Sequence, residues 1–280
     1  DGCVFKVNDL ADHERLGIPG ANPRWAVAWK FTPRRETTTV RAIDVSVGRT
    51  GALTPVAVLD PVHISGVEVA HVTLHNQDEV ERLDVAKGDT VLVERAGDVI
   101  PHVVKVTRRK SRHRETYTLP DKCPECGGKV SRAQGEAVTR CANSSCPARI
   151  KESIQHFGSK AALDIDGLGG KLVERLVTEG LVNRLDDIFS LRVEDLRKLD
   201  RVGKKSAENL VKAIGEARDR VTLPRLVYGL GIPHVGRAVA SDLASEFGSL
   251  SRLADASQTR LRQMEGVGDT MASAIHDWFT

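Results

Sequence analysis

Hydrophobic and polar positions change their period along the chain, from that of strands to that of helices. Between residues 25 and 31, strict alternation puts Trp25, Val27, Trp29 and Phe31 on one face of a strand and Ala26, Ala28 and Lys30 on the other. Five runs rich in β-branched residues follow, at 37–47, 52–59, 67–74, 90–95 and 99–106, with turn signals at Gly48, Gly51, Gly88-Asp89 and Gly97-Asp98. Gly97-Asp98 predicts a two-residue hairpin with glycine first. Short strands at this spacing fit a small closed barrel, with a small sandwich as the other architecture. Past residue 150 the period is helical, and one unit recurs: an apolar residue, a turn, a second apolar residue, a glycine, then an amphipathic run.

The four copies are Ile165-Asp166-Gly167-Leu168-Gly169, Leu199-Asp200-Arg201-Val202-Gly203, Ile232-Pro233-His234-Val235-Gly236 and Met264-Glu265-Gly266-Val267-Gly268. Their last glycines lie 34, 33 and 32 residues apart, which predicts one supersecondary unit used four times. Helical repeats often only stack on one another, and a glycine between helices often caps the preceding one. A glycine just before a helix also leaves the first backbone amides open, and with the helix dipole these make a phosphate site. Three copies add cations where a phosphate would sit: Lys171 after Gly169, Lys204 and Lys205 after Gly203, and Arg237 after Gly236. The fourth places Asp269 there, which reads as a helix cap. The unit resembles the helix-hairpin-helix motif, and the resemblance implies sequence-independent contact with the duplex backbone across the minor groove.

Cysteine spacing marks the middle of the chain. Cys123, Cys126, Cys141 and Cys146 form C-x2-C-x14-C-x4-C, which suits a closed tetrahedral zinc site with no position open for catalysis. Two disulfides or a redox C-x-x-C are the other uses, but neither a secretory signal nor a thioredoxin-like context accompanies them. A segment as short as 118–149 has too little core to fold without its metal, so the Zn2+ is expected to be structural. Cys3, in an apolar run, is expected to be an inert buried thiol.

Composition changes the picture little. The net charge of +3 does not demand nucleic acid, although Lys105, Arg108, Arg109, Lys110, Arg112 and Arg114 form an acid-free run that suits a solvated linker or a phosphate track. Aromatic content of 4% argues against a binder that stacks single-stranded bases on rings. No apolar run approaches the roughly 20 residues of a membrane span and no signal peptide stands at the start, so a cytoplasmic protein is expected.

In the first 31 residues, Lys30, which shares its face with the small Ala26 and Ala28, has room for a ligand beside its ammonium, or simply a solvent face. By pleat count Asp1 and Lys6 fall on opposite faces, and Gly2 would have to relieve the pleat for both to serve one site. Taken in order, D-G-x-V-x-K, W-A-V-A-W-K-F, V-G-R-T-G, T-L-H-N, R-A-G-D-V-I-P, the four cysteines and the four hairpins resemble the bacterial NAD-dependent DNA ligases over the whole chain.

The resemblance implies a multidomain α+β architecture. Residues 1–31 would be the C-terminal strands of an adenylation (nucleotidyltransferase) domain, 32–112 an OB-fold, 118–149 a four-cysteine zinc finger and 150–280 a helix-hairpin-helix domain. It implies that Lys6 and Lys30 contact the adenylate, that Asp1 supports metal and lysine chemistry, and that Arg49, Thr50, Arg95, Val99 and Ile100 engage the nick. Implied cofactors are NAD as AMP donor, Mg2+ or Mn2+, and structural Zn2+. The implied partner is nicked double-stranded DNA, bound by a monomer in replication and repair. The family's K-x-D-G nucleophile motif is not in this sequence, so the chain is expected to be the central and C-terminal part of a longer ligase, unable alone to form the AMP-lysine. The rival reading is a non-catalytic duplex-binding module or scaffold.

Overall fold

The computed structural model describes residues 2–18, 22–96, 100–111, 116–133 and 135–280. Asp1, the Gly97-Asp98 turn, Val99, Arg112 and Arg114, on which expectations fell, lie outside the described residues. The chain divides into two compact units: Asp1–Ser46, Leu53–Asp121 and Arg132–Thr139 form one, and Val47–Ala52, Lys122–Ser131 and Arg140–Thr280 the other.

The first unit opens with strands β1 (Gly2–Lys6) and β2 (Ala26–Lys30), joined through helix α1 (Leu10–Leu16). They pair antiparallel with Gly2 opposite Lys30 and Lys6 opposite Ala26. Cross-strand partners share a face, so Lys6 and Lys30 stand on one side of this sheet with Val4 and Ala28 between them, four residues or roughly 13 Å apart along the strand. The Lys6 ammonium lies 5.9 Å from the centre of the Trp25 ring. Gly2 is required by close approach, because a Cβ there would collide with the Trp29 carbonyl oxygen. Both faces are exposed, with Val4 61% accessible on one and Trp29 66% on the other. Cys3, opposite Trp29, is therefore exposed and not the buried thiol its apolar neighbours suggest.

The five expected strands appear as β3 (Arg34–Val47), β4 (Leu53–Ile64), β5 (Val67–Thr73), β6 (Thr90–Ala96) and β7 (Ile100–Arg108). They close into a barrel in the order β3-β4-β5-β7-β6, which decides against a sandwich. Burial alternates along β4 through Leu53, Ala57 and Leu59, and Ala57 and Leu59 pack with Val40, Val72, Val91, Val93 and Val103. Helix α2 (Gln77–Leu83) adds Val80 and Leu83 to that core. Its start is set by Asn76, whose side chain accepts the Glu79 amide at 2.9 Å. Asp89 is wholly buried, and its carboxylate accepts the amides of Ala86 and Lys110 at 3.0 and 2.9 Å. Part of the basic run is spent internally, since Arg109 pairs with Asp84 at 2.5 Å.

Strands β8 (Val130–Arg132) and β9 (Thr139–Cys141) form a small two-stranded sheet. From Pro147 onward the second unit is helical: α3 (Pro147–Gly158), α4 (Gly170–Thr178), a 3-10 turn at Asp186–Ser190, α5 (Val193–Leu196), α6 (Lys204–Arg220), α7 (Leu223–Leu230), α8 (Arg237–Phe247), α9 (Leu250–Ala254), α10 (Gln258–Arg262) and α11 (Asp269–Phe279). Two separate cores organise it. Ile154, Phe157, Leu176, Ile188, Leu196 and Leu210 centre the first, and Ile232, Leu243, Leu253, Leu261 and Ile275 the second. The four repeats are thus two pairs, each pair burying one core, a grouping that spacing alone does not disclose.

Candidate nucleic-acid interface and metal centre

The four hairpins share one geometry. The second apolar residue donates its amide to the carbonyl of the first in every copy: Leu168 to Ile165, Val202 to Leu199, Val235 to Ile232 and Val267 to Met264, at 3.1 to 3.4 Å. Two residues before each helix cap the backbone is left-handed, at Gly167 (φ 81°), Arg201 (58°), His234 (67°) and Gly266 (79°). Arg201 and His234 hold that conformation without being glycine, a cost that sequence reasoning does not register.

Gly169, Gly203, Gly236 and Gly268 are the N-caps of α4, α6, α8 and α11, with φ of −82°, −75°, −86° and −83°. No side chain caps any of these four helices, so their first amides stay open. Gly268 holds the cap position expected of Asp269, which instead pairs with Arg262 at 3.3 Å. None of the four glycines needs its freedom, because ordinary residues adopt these φ values. Nor does anything inside the chain crowd them: a Cβ at each would meet no atom within 4 Å. Lys171, Lys204, Lys205 and Arg237 follow the caps and are exposed. Lys204 also reaches Glu208 at 3.8 Å.

Of the barrel-region candidates, Arg49 and Thr50 lie in the Val47–Ala52 segment. Arg49 donates from Nη1 to the Gly231 carbonyl, and its burial holds the guanidinium below its ordinary pKa. Thr50 Oγ1 accepts from Arg140 Nη1 at 2.8 Å. Arg95 stands near the end of β6, opposite Arg34 on one side and Pro101 on the other. Ile100 is 62% exposed at the start of β7, a position from which an apolar side chain meets whatever approaches.

The structure brings the four cysteines together. Their sulfurs lie within 4.8 Å of one another, with three of the four residues buried. The Gly128 amide donates to Cys126 and lowers that thiol to about 7. Burial pushes Cys146 up to about 12, against the amides of Arg149 and Ala148 that point at its sulfur. Thiolates gathered in a closed, amide-lined cluster fit a structural zinc ion, and no non-cysteine ligand accompanies them among the described residues. Sequence reasoning misses what surrounds the knuckle. Arg149 donates from Nη1 to the Asn143 carbonyl at 3.1 Å while its Nε is buried without a partner.

Comparison with known proteins agrees with this geometry. Residues 37–115 match the NAD-dependent DNA ligase OB-fold domain and residues 122–148 the NAD-dependent DNA ligase C4 zinc finger domain. A SAM-like helix-hairpin-helix tandem matches 159–216, and a helix-hairpin-helix motif matches 225–280. Proteins named DNA ligase from Desulfosudis oleivorans, Solibacter usitatus and Alkalilimnicola ehrlichii are 50%, 48% and 50% identical over the whole of this chain. The chain belongs to the NAD-dependent DNA ligase family. It spans 41 to 42% of the length of those relatives. Among the described residues no helix is long and apolar enough to cross a membrane.

Proposed function

We propose that this chain is the duplex-gripping part of an NAD-dependent DNA ligase that seals nicks in replication and repair. The observation that carries the reading is the set of four cap glycines. Neither φ nor internal packing calls for glycine at Gly169, Gly203, Gly236 or Gly268. A side chain at those points would obstruct only something outside the chain that comes close to the open amides, and a phosphate is the group such amides suit. Lys171, Lys204, Lys205 and Arg237 add positive charge beside three of them, so the grip is on the backbone and indifferent to base sequence.

In the whole enzyme, on this reading, residues 1–31 close an adenylation domain, 32–112 form the OB-fold, 118–149 the zinc finger and 150–280 the helix-hairpin-helix domain. The adenylyl group comes from NAD with loss of nicotinamide mononucleotide, passes to the 5′-phosphate of the nick, and leaves as AMP when the 3′-hydroxyl forms the phosphodiester. Mg2+ or Mn2+, when bound, would neutralise charge on the phosphoryl oxygens. Lys6 and Lys30, on one face of their sheet, would hold the adenylate oxygens electrostatically, with Asp1 supporting them. Arg49, Thr50, Arg95, Val99 and Ile100 would meet the nick, the arginines through phosphate and the aliphatic pair through the groove. The protein works as a monomer in the cytoplasm.

Fluorescence anisotropy with labelled nicked duplex and with the corresponding single strands tests the grip. Duplex is expected to bind at least about 10-fold more tightly, and log K to fall with log salt at a slope of about −0.9 per phosphate neutralised. Equal affinity for single strands would sink the reading.

A further inference from the structure

We propose that the cysteine knuckle positions the Val47–Ala52 segment, and that Arg140 carries the coupling, so that zinc occupancy is felt at Arg49 and Thr50. The proposal rests on the reading of those two residues as part of the DNA grip, but its geometry stands apart from it. The segment is a tight turn: the Gly48 amide donates to the Ala52 carbonyl at 2.9 Å and the Gly51 amide to the Gly48 carbonyl at 2.8 Å. Such a turn has no core of its own, and its conformation depends on what it is tied to.

Two adjacent residues of β9 make the tie. Cys141 sends its sulfur into the cysteine cluster and its backbone amide to the Gly51 carbonyl at 2.8 Å. Arg140 forms an antiparallel bridge with Ala52 and donates from its guanidinium to Thr50 Oγ1 at 2.8 Å. Successive strand side chains point to opposite sides, so a strand that turns Cys141 toward a metal must turn Arg140 away from it, here onto Thr50. The fit is close. Gly51 has φ +79°, and a Cβ there would come 2.9 Å from the Cys141 carbonyl oxygen and 3.2 Å from Arg149 Cδ.

At its other end the turn is held by Arg49 on the Gly231 carbonyl, the left-handed C-cap of α7. Metal-bound thiolates fix β9, and β9 fixes the turn. Without metal a knuckle this small loses its fold, and the Thr50 and Gly51 bonds lose their anchor. Arg140 is thus a positioning residue. It presents Thr50, and with it Arg49, without needing to touch DNA.

Hydrogen–deuterium exchange of the DNA-free chain reads this directly, in the zinc-loaded protein, the chelated protein and two zinc-loaded variants, Arg140→Ala and Thr50→Val. Peptides covering 47–52 are expected to exchange at least about 10-fold faster on chelation and in both variants. Peptides of β4 and β5 should stay protected, and Arg140→Ala should retain its zinc by elemental analysis. Unchanged exchange at 47–52 after chelation overturns the proposal, as does unchanged exchange in a zinc-retaining Arg140→Ala. If Arg140→Ala loses zinc, Thr50→Val decides alone, since it removes the acceptor without altering the knuckle. Because no DNA enters the measurement, a failure here is distinct from a failure of duplex binding.

Discussion

The Asp89 carboxylate, inaccessible to solvent, accepts the backbone amide of Lys110 at 2.9 Å, tying the entry of β6 to the exit of β7 across 21 residues. Its other oxygen takes the Ala86 amide. Asn in its place offers one acceptor oxygen and turns an NH2 toward an amide that needs an acceptor. Asp89→Asn should therefore cost about 1–3 kcal/mol of barrel stability. Hydrogen exchange at Val91, Val93 and Val103 checks it, with protection expected to fall by roughly 10-fold or more. Unchanged protection would show that the carboxylate is not needed.

The four-cysteine site is expected to hold about one equivalent of zinc per purified chain. Cys146→Ala should lose that metal and fray the first turn of α3, because Cys146 is the N-cap residue and the Ala148 and Arg149 amides point at its sulfur. The barrel core should survive, since none of its buried residues belongs to the cysteine cluster. Elemental analysis together with far-UV circular dichroism tests both statements. Full zinc content in the variant would contradict a four-thiolate site.

His156 gives a pH dependence with a definite sign. Burial lowers its pKa from 6.5; the bond to the Tyr228 carbonyl at 2.8 Å opposes this, and Arg49 reinforces it. The folded state favours the neutral ring, so between the folded value and 6.5 the unfolded chain binds more protons. The stability contributed is present above 6.5 and is lost as pH falls through that lower window. An NMR titration should place the ring below 6.5, and the melting temperature of His156→Gln should fall less than that of the parent between about pH 7.5 and pH 5.5. A ring titrating above 6.5 would reverse the sign.

Much of this molecule is legible in its sequence, for reasons that differ by element. The barrel strands announce themselves because runs rich in β-branched residues are set off by turn residues such as Gly48, Gly51 and Gly88-Asp89. The hairpins do so because the spacing of Leu199, Val202 and Gly203 repeats at the other three sites. The four cysteines declare a metal site by spacing, and the fold brings their sulfurs together. Helix α2 escapes a reading tuned to strands because it is only seven residues long, although Asn76 followed by Glu79 carries a cap signature. Cys3 misleads because apolar neighbours imply burial only when a second layer covers them. Arg49 reaches Gly231, 182 residues further on, and no local pattern discloses such a partner.

On the proposed function, the cap glycines are bare for the sake of a phosphate outside the chain. Gly203→Ala and Gly236→Ala test it most directly. Each Cβ enters open space at an ordinary φ, so each variant should fold, with a loss of no more than about 1 kcal/mol from the weaker cap. Each is expected to weaken nicked-duplex affinity by about 10-fold, or about 1.4 kcal/mol, in an anisotropy titration at fixed salt. Variants that fold and bind duplex as tightly as the parent would contradict it.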